Sequence, residues 1–295
     1  MKTLLDTIGK TPLIELKNLS VGNPAVRVFV KLEGQNPGGS VKDRVARYMI
    51  EQAEQRGELT PGKIILEATS GNMGIALAMV GAHKGYAVHI IMSEGMSEER
   101  KMMMRSFGAK LILTDKRLGT EGAIAKAREL IAEHPDRYWF ANQFNNPDNE
   151  QSHYHGIAQE LLQELPQIDY LVGGMGTTGT MMGIARRFRE ETPHTKMIAV
   201  VPPAGYHIQG IQDQEQDFSG KLYDASLIDE FISVRKEDAF QMAKTLAEKE
   251  GLFVGMSSGV ALSVALKKAR EIEKGNIVAI SADRGDKYLS TGLFA

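Results

Sequence analysis

The stretch Gly34–Arg44, GQNPGGSVKDR, places a lysine just after a glycine turn and a serine that can cap a helix. Ser40 is interpreted as the N-cap, because apolar residues from Val41 through Ala53 recur at helical spacing. Lys42 then lies in the first helical turn. A cation at the positive end of a helix dipole is disfavoured by about 0.3–1 kcal/mol, which favours the neutral amine. A neutral amine can attack a carbonyl, so the position suits a Schiff-base lysine.

A second interpretation of Lys42 stays open at this point. The lysine could be a solvated side chain that pairs with Asp43 or Glu33, since ion pairs also perturb lysines that have no catalytic role. Taken alone, the segment favours this interpretation, and the rest of the chain has to decide between the two.

Length and composition exclude several functional classes. The chain has 295 residues, more than the ~100–200 of a usual single domain, so two lobes are expected. Its formal net charge is −2 and it has no block of Lys and Arg, which indicates small-molecule partners rather than nucleic acid or a membrane surface. The sequence has no apolar signal region, and no apolar run approaches the ~18 residues of a membrane span. With no cysteine there is no disulfide and no Cys-based metal site, and we expect a cytoplasmic protein.

Predicted strands and helices alternate along the chain, which indicates parallel sheets. A first lobe, residues 40–145, is predicted from strands at Ile64–Ala68, Ala87–Met92, Lys110–Thr114 and Tyr138–Asn142. A second lobe, residues 1–39 and 146–295, is predicted from strands at Tyr170–Val172, Lys196–Val201, Phe231–Val234 and Asn276–Ala282. The expected fold class is α/β, with two lobes that each carry a mostly parallel open sheet flanked by helices. Ligands of such sheets bind beyond the carboxyl ends of the strands.

One of these strand ends carries the glycine-rich turn Gly173–Thr180, GGMGTTGT, directly before a predicted helix. Successive backbone N–H groups, a helix N-terminus and threonine hydroxyls can together hold a phosphate. The glycines match a dinucleotide fingerprint, but Val201-Pro202-Pro203 stands where the acidic ribose ligand is expected. No G-x-x-x-x-G-K-[ST] motif for a nucleoside triphosphate occurs either. A monophosphate cofactor fits better than both, with a plain tight turn as the alternative.

Two further turns contain small polar side chains at predicted helix starts. The first, Ala68–Gly74, ATSGNMG, could hold a carboxylate through backbone N–H groups and the hydroxyls of Thr69 and Ser70. The second, Gly255–Gly259, GMSSG, could offer a hydroxyl to a ring nitrogen. Each turn alone could equally be a simple helix cap.

Together, the lysine, the monophosphate loop and the two small-polar turns define a site for pyridoxal phosphate. At this point the chain resembles the fold-type II pyridoxal-phosphate enzymes, and within them the cysteine synthases and their cystathionine β-synthase relatives. The similarity runs nearly end to end through the segments TIGKTPLIEL, KLEGQNPGGSVKDR, EATSGNMGIALA, FNNPDN, GGMGTTGT, GMSSG and DRGDKYLSTG. The last of these and FNNPDN are most similar to the cysteine synthase B group.

The resemblance implies a role for each cofactor-contacting position. Lys42 would form the Schiff base and move the α-proton, and Asn72 would donate a hydrogen bond to the phenolic oxygen of the cofactor. Ser257 would contact the pyridine nitrogen. The phosphate would be held by Gly176, Thr177, Thr178, Gly179 and Thr180.

The resemblance also implies the substrate contacts and the reaction. The carboxylate of an amino-acid substrate would be held by Thr69, Ser70 and Gln143, and Gly71 and Met73 would belong to the same substrate-binding turn. The reaction would replace the β-acetoxy group of O-acetylserine with sulfide, the sulfur donor, to give cysteine and acetate. Family members of this kind are homodimers, and no metal is implied.

Three departures from the family pattern leave alternatives open. Met73 stands where a threonine is usual, Ile157–Glu160 replaces a Thr-Gly-Pro-Glu stretch, and Gln209–Asp213 lacks arginines found in some cysteine synthase B sequences. An anionic donor such as thiosulfate would lose a counter-charge there, so sulfide is expected. Elimination from serine or cysteine, and synthesis of sulfocysteine, lanthionine or cystathionine, stay open. So does a cofactor-binding regulator that has lost turnover.

Overall fold

The computed structural model describes residues 1–19, 21–69, 71–206, 208–212 and 220–294. Its strands are β1 (Leu13–Glu15), β2 (Val26–Leu32), β3 (Ile64–Ala68), β4 (Val88–Ser93), β5 (Lys110–Thr114), β6 (Tyr138–Phe140), β7 (Tyr170–Gly174), β8 (Lys196–Val201), β9 (Glu230–Ser233) and β10 (Gly275–Ser281). Its α-helices are α1 (Lys42–Gln55), α2 (Asn72–Lys84), α3 (Glu98–Ser106), α4 (Gly119–Glu133), α5 (Pro147–His153), α6 (Gln159–Glu164), α7 (Gly179–Glu191), α8 (Lys236–Glu250) and α9 (Met256–Glu271).

Shorter helical segments connect these elements. A π-helical segment, Tyr154–Ala158, joins α5 to α6. The 3₁₀ segments are Leu5–Thr7, Glu33–Gln35, Lys116–Leu118, Ala225–Leu227 and Gly285–Thr291. Within the described ranges, none of the helices has both the length and the apolar character needed to cross a membrane.

The larger sheet has six strands in the order β1-β2-β10-β7-β8-β9. Only β1 is antiparallel to its neighbour, and the other pairs are parallel. The N-terminal segment therefore joins the sheet built by the C-terminal half, as the sequence predicts. Two apolar clusters bury this sheet: Val28 and Ile198 belong to one, with α8 and α9, while Phe29 and Met197 belong to the other, with α7.

The smaller sheet has four parallel strands in the order β5-β4-β3-β6. Because successive strand residues point to opposite faces, Ile65 packs with α1 and α2, whereas Leu66 packs with α4. Both faces are thus covered by helices, as parallel sheets require. The prediction of an α/β fold with two mostly parallel open sheets is confirmed, while the boundary at residues 40 and 145 stays a prediction.

Several predicted ends of elements are shifted in the structure. The prediction of Ser40 as the N-cap of α1 is wrong by one position: Val41 precedes the helix and makes no side-chain cap bond. The Ser40 hydroxyl still accepts a hydrogen bond from the Lys42 backbone N–H at 3.2 Å, so it does bind a free donor of the first turn. The strand predicted to reach Asn142 ends at Phe140, because Asn142 adopts a left-handed backbone with φ of +51°.

Candidate active site

Lys42 is the first residue of α1, and its side chain reaches the glycine-rich loop of the other sheet. Its Nζ donates to the Thr177 hydroxyl at 3.2 Å. Burial disfavours the charged amine and lowers the pKa of Lys42 to about 8. The ion-pair interpretation does not hold in the described part of the chain, because Glu33 pairs with Arg44 at 2.7 Å and the Asp43 carboxylate accepts from the Gly38 N–H at 2.5 Å.

The loop from Gly174 to Thr180 has the features that a phosphate group requires. It follows β7, and α7 begins within it at Gly179. Thr178 has a φ of +67°, a strained conformation for a β-branched residue, and its buried hydroxyl has no hydrogen-bond partner among the described residues. A side chain at Gly176 would start 2.6 Å from the Gly210 carbonyl, so only glycine fits there. The loop thus presents polar groups that a bound anion would satisfy.

Helix α5 supports two hydroxyls of this loop. Asn149 Nδ2 donates to the Thr177 hydroxyl at 3.0 Å and to the Gln143 carbonyl oxygen at 2.7 Å. His153 Nε2 lies 3.1 Å from the Thr180 hydroxyl. Burial, together with the nearby positive charge of Lys42, holds the pKa of His153 well below its usual range, so the ring is neutral. Sequence reasoning assigned no role to Asn149 or His153, although the motif FNNPDN contains the former.

The turn predicted to hold a carboxylate follows β3. Thr69 lies at its start, and its hydroxyl accepts a hydrogen bond from the Gly71 N–H at 3.3 Å. Ser70, the second predicted hydroxyl, lies outside the described residues. Gly71 precedes α2, whose first two residues are Asn72 and Met73. The Met73 side chain is 1% exposed and belongs to the apolar cluster of the smaller sheet.

Gln143 is linked to this turn by a buried carboxyl group that sequence reasoning missed. Glu67 is the last but one residue of β3, and its carboxyl accepts from the backbone N–H of Gln143 at 3.2 Å and of Ala68 at 3.0 Å. Burial outweighs these hydrogen bonds and raises the pKa of Glu67 to about 8. The sequence feature that could have revealed Glu67 is an acidic residue within the otherwise apolar strand IILEA.

The C-terminal charged run forms a wall beside Asn72. Asp283 and Lys287 are each 1% exposed. The Asp283 carboxylate accepts from Asn72 Nδ2 at 2.8 Å and from the Tyr288 hydroxyl at 2.7 Å. Lys287 Nζ donates to Asn72 Oδ1 at 2.9 Å and to the Gly39 carbonyl oxygen at 3.0 Å. The buried charges of Asp283 and Lys287 therefore contact Asn72, while Arg284 and Asp286 of the same run are partly exposed.

The third predicted turn lies against this wall. Gly255 donates its N–H to the Asp283 carbonyl oxygen at 3.1 Å and immediately precedes α9. Ser257 is the second residue of α9 and is partly exposed. The start of α9 therefore lies close to Asp283, which also contacts Asn72. Within the described ranges, no group of three or more His, Asp and Glu side chains is placed to hold a metal ion.

Comparisons with known proteins agree on one family. Residues 4–283 match the family model described as pyridoxal-phosphate dependent enzyme. The chain is 44% identical to cysteine synthase B of Escherichia coli strain K12, over all of this chain and 96% of the relative. It is similar to the crystal structure of cysteine synthase from Entamoeba histolytica, with a TM-score of 0.93, 41% identity and coverage of 100% and 90% of the two chains. It is also similar to O-ureido-L-serine synthase, with a TM-score of 0.94, 37% identity and coverage of 100% and 95%.

Proposed function

The chain belongs to the pyridoxal-phosphate dependent enzymes, and from that premise we propose that it is a cysteine synthase. Its reaction replaces the acetoxy group of O-acetylserine with sulfide and releases cysteine and acetate. One observation carries the proposal. The amine of Lys42 is buried, its pKa is lowered to about 8, and its Nζ lies 3.2 Å from the Thr177 Oγ1 of the glycine-rich loop. The full-length similarity to cysteine synthases supports this assignment.

The residues that would hold the cofactor are those of the loop, the lysine and the two helix starts. Gly176–Thr180 would bind the phosphate, Lys42 the carbonyl carbon, Asn72 the phenolic oxygen and Ser257 the ring nitrogen. When bound, pyridoxal phosphate supplies an electrophilic carbonyl and a ring that accepts the charge left at the α-carbon. The unpartnered Thr178 hydroxyl and the close approach of Gly176 to Gly210 fit the phosphate part of this assignment.

Lys42 has two tasks in the proposed reaction. Its neutral amine would hold the carbonyl carbon of the cofactor in the resting enzyme. The same amine would act as the base that takes the α-proton of the substrate and as the acid that returns a proton to that carbon. A lowered pKa suits both tasks, because a base poised near the working pH transfers protons in either direction. The Thr177 hydroxyl holds Nζ in place.

The substrate carboxylate would be held at the start of α2. Thr69, the N–H groups at the helix N-terminus and Gln143 would bind it, with Ser70 as a further ligand implied by the family resemblance. Glu67 and Asn149 position Gln143 through its backbone N–H and carbonyl groups. Closure of the smaller lobe on the bound carboxylate would exclude water from the reacting β-carbon.

Ser257 would direct the outcome of the reaction. A neutral hydroxyl at the ring nitrogen, where a carboxylate would favour protonation, leaves the ring a weaker electron acceptor. Transfer of the amino group needs a strong acceptor, whereas departure of a β-acetoxy group relieves the charge directly. Ser257 therefore favours β-replacement over transamination.

The visible spectrum of the purified holoenzyme tests the proposal. O-acetylserine should shift the cofactor absorption, and sulfide should restore it while cysteine and acetate appear in equal amounts. Borohydride reduction followed by peptide mapping should label Lys42, and Lys42→Ala should abolish turnover, whereas the exposed Lys110→Ala should react as wild type does. A label on another lysine, or no spectral response to O-acetylserine, would contradict the proposal.

A second candidate is replacement or elimination on a different β-substituted alanine. Met73 favours this second candidate, since a thioether cannot donate a hydrogen bond to a carboxylate. The similarity to O-ureido-L-serine synthase also supports it. Steady-state kinetics with O-acetylserine, serine, cysteine and phosphoserine distinguish the candidates. A normal cofactor spectrum with no turnover of any of them would instead indicate a regulator.

The protein would act as a homodimer in the cytoplasm. Exposed apolar side chains, among them Met102 at 56% and Leu289 at 63%, offer surface that a second copy could bury. The absence of cysteine suits a reducing compartment. Light scattering after size-exclusion chromatography measures the number of chains, and a monomeric mass would contradict the dimer.

A further inference from the structure

Asn72 makes two hydrogen bonds whose partners permit only one orientation of its amide group. Lys287 Nζ lies 2.9 Å from Oδ1, and the Asp283 carboxylate lies 2.8 Å from Nδ2. A lysine ammonium can only donate and an ionised carboxylate can only accept. Turning the amide over would place NH₂ against the ammonium and C=O against the carboxylate, which is repulsive at both ends. The chemistry of the partners therefore fixes the orientation of the amide.

Among the described residues, this arrangement leaves one donor of Asn72 without an acceptor. The amide nitrogen carries two N–H groups, and Asp283 takes one of them. Both partners are 1% exposed, so neither can be replaced by water without rearrangement. Lys287 is itself anchored by a second hydrogen bond to the Gly39 carbonyl oxygen at 3.0 Å, in the turn that leads to Lys42.

We propose that Lys287, with Asp283, is a positioning residue that orients Asn72 so that its second N–H donates to the phenolic oxygen of the cofactor. The inference rests on the cofactor contact proposed for Asn72. It assigns a role to a buried lysine whose hydrogen bonds in the described part of the chain go to Asn72 and to the Gly39 carbonyl oxygen. Without the ammonium, the amide of Asn72 could rotate or turn over and lose its alignment.

A double-mutant cycle on cofactor affinity tests the proposal. The full chain is stripped of cofactor and titrated with pyridoxal phosphate, and the dissociation constant is measured by visible absorption for wild type, Asn72→Ala, Lys287→Met and the double variant. Each single change should raise the dissociation constant about tenfold, the effect of one hydrogen bond to a charged group. The double variant should be no weaker than Asn72→Ala alone, because Lys287 acts through Asn72.

Matched variants separate positioning from general stabilisation. Lys31 is equally buried, bonds to the Thr11 carbonyl oxygen at 2.7 Å and to Glu164 at 2.8 Å, and belongs to a different ion cluster. Lys31→Met should lower thermal stability without any coupling to Asn72→Ala. Lys287→Arg keeps the charge and donors and should retain most of the affinity. If Lys287→Met does not fold, Asp283→Asn, which has the same size, provides a second cycle with the same expected non-additivity.

The outcomes distinguish the inference from the function on which it rests. Additive effects of Lys287→Met and Asn72→Ala would overturn the positioning role and leave the cofactor contact of Asn72 intact. An unchanged dissociation constant in Asn72→Ala would overturn both, while cofactor attachment at Lys42 would still be tested by peptide mapping. Loss of thermal stability in Lys287→Met with unchanged cofactor affinity would show that the lysine only balances buried carboxylates.

Discussion

The amine of Lys42 and the hydroxyl of Thr177 lie 3.2 Å apart, although 135 residues separate them in the chain. The lysine begins a helix that packs against the smaller sheet, and the threonine belongs to the glycine-rich loop that follows β7 of the larger sheet. Asn149 holds the same hydroxyl from α5 at 3.0 Å. The amine of Lys42 is therefore held at the glycine-rich loop by protein groups, and we expect this to reduce the reorganisation needed when a cofactor carbonyl arrives.

The first prediction concerns the pH dependence of cofactor attachment to Lys42. Burial lowers the pKa of this amine from 10.5 to about 8. Below that pH the amine is protonated and unreactive, and above it the amine is neutral and can attack. The rate of attachment to the cofactor-free protein should rise with pH around a midpoint near 8, as followed by stopped-flow absorption. A midpoint near 10 would show that the lysine is solvated.

The second prediction concerns the threonine hydroxyls of the phosphate loop. Thr178→Val and Thr180→Val keep the side-chain shape and should each weaken cofactor binding by about 0.5–1.5 kcal/mol. Thr177→Val should also slow cofactor attachment, because it releases Lys42. Titration of the cofactor-free protein measures the affinities. As a control, Thr195→Val removes a buried hydroxyl that donates to the Ile168 carbonyl oxygen at 2.7 Å, and it should lower stability only. If Thr178→Val binds the cofactor as tightly as wild type does, the Thr178 hydroxyl does not contact the phosphate.

Those parts of the site that depend on local sequence were predictable. The glycine-rich loop combines a strand end, glycines and a helix start within eight residues, and β5 and β8 lie at their predicted limits because their apolar patterns are continuous. Lys42 was correctly predicted in the first helical turn because apolar residues recur at helical spacing from Val41 onward. The cap at Ser40 was misplaced by one residue, which is within the usual variation of helix ends.

The supporting groups were not predictable because their partners are remote in the chain. Asn72 contacts Asp283 across 211 positions, and Glu67 contacts Gln143 across 76. Charged residues such as Lys287 resemble those of a solvated loop until tertiary packing buries them. Only the fold shows which polar side chain lies beside which strand end.

The third prediction concerns the partner of the ring nitrogen. Ser257→Asp should favour a protonated ring, strengthen the electron sink and divert part of the reaction toward amino-group transfer. Product analysis by mass spectrometry should then detect 3-acetoxypyruvate, the keto acid that keeps the acetoxy group, together with the amino form of the cofactor. Ser258→Ala removes the neighbouring buried hydroxyl, which accepts a hydrogen bond from Ser281 at 3.1 Å, and should leave the product ratio unchanged. An unaltered spectrum and product ratio in Ser257→Asp would show that Ser257 does not contact the ring nitrogen and only occupies the start of α9.

The last prediction concerns Met73, which is 1% exposed within the apolar cluster of the smaller sheet. Met73→Thr should lower the free energy of unfolding by about 2–4 kcal/mol, because it leaves a cavity and buries a hydroxyl. The preference for O-acetylserine over serine and phosphoserine should not change, since the backbone N–H at this position is retained. Denaturant unfolding and steady-state kinetics measure the two effects.

Met104 provides the matched comparison, because it is 0% exposed in the same cluster but lies on α3. If the Met73 side chain serves packing alone, Met104→Thr and Met73→Thr should lose similar stability and share one substrate profile. A gain in kcat/KM for O-acetylserine in Met73→Thr alone would mean that the new hydroxyl reaches the substrate carboxylate. O-acetylserine would then remain the native substrate, bound by a weaker carboxylate clamp. Little benefit with O-acetylserine, together with a loss of activity on another β-substituted alanine in Met73→Thr, would favour the second candidate function.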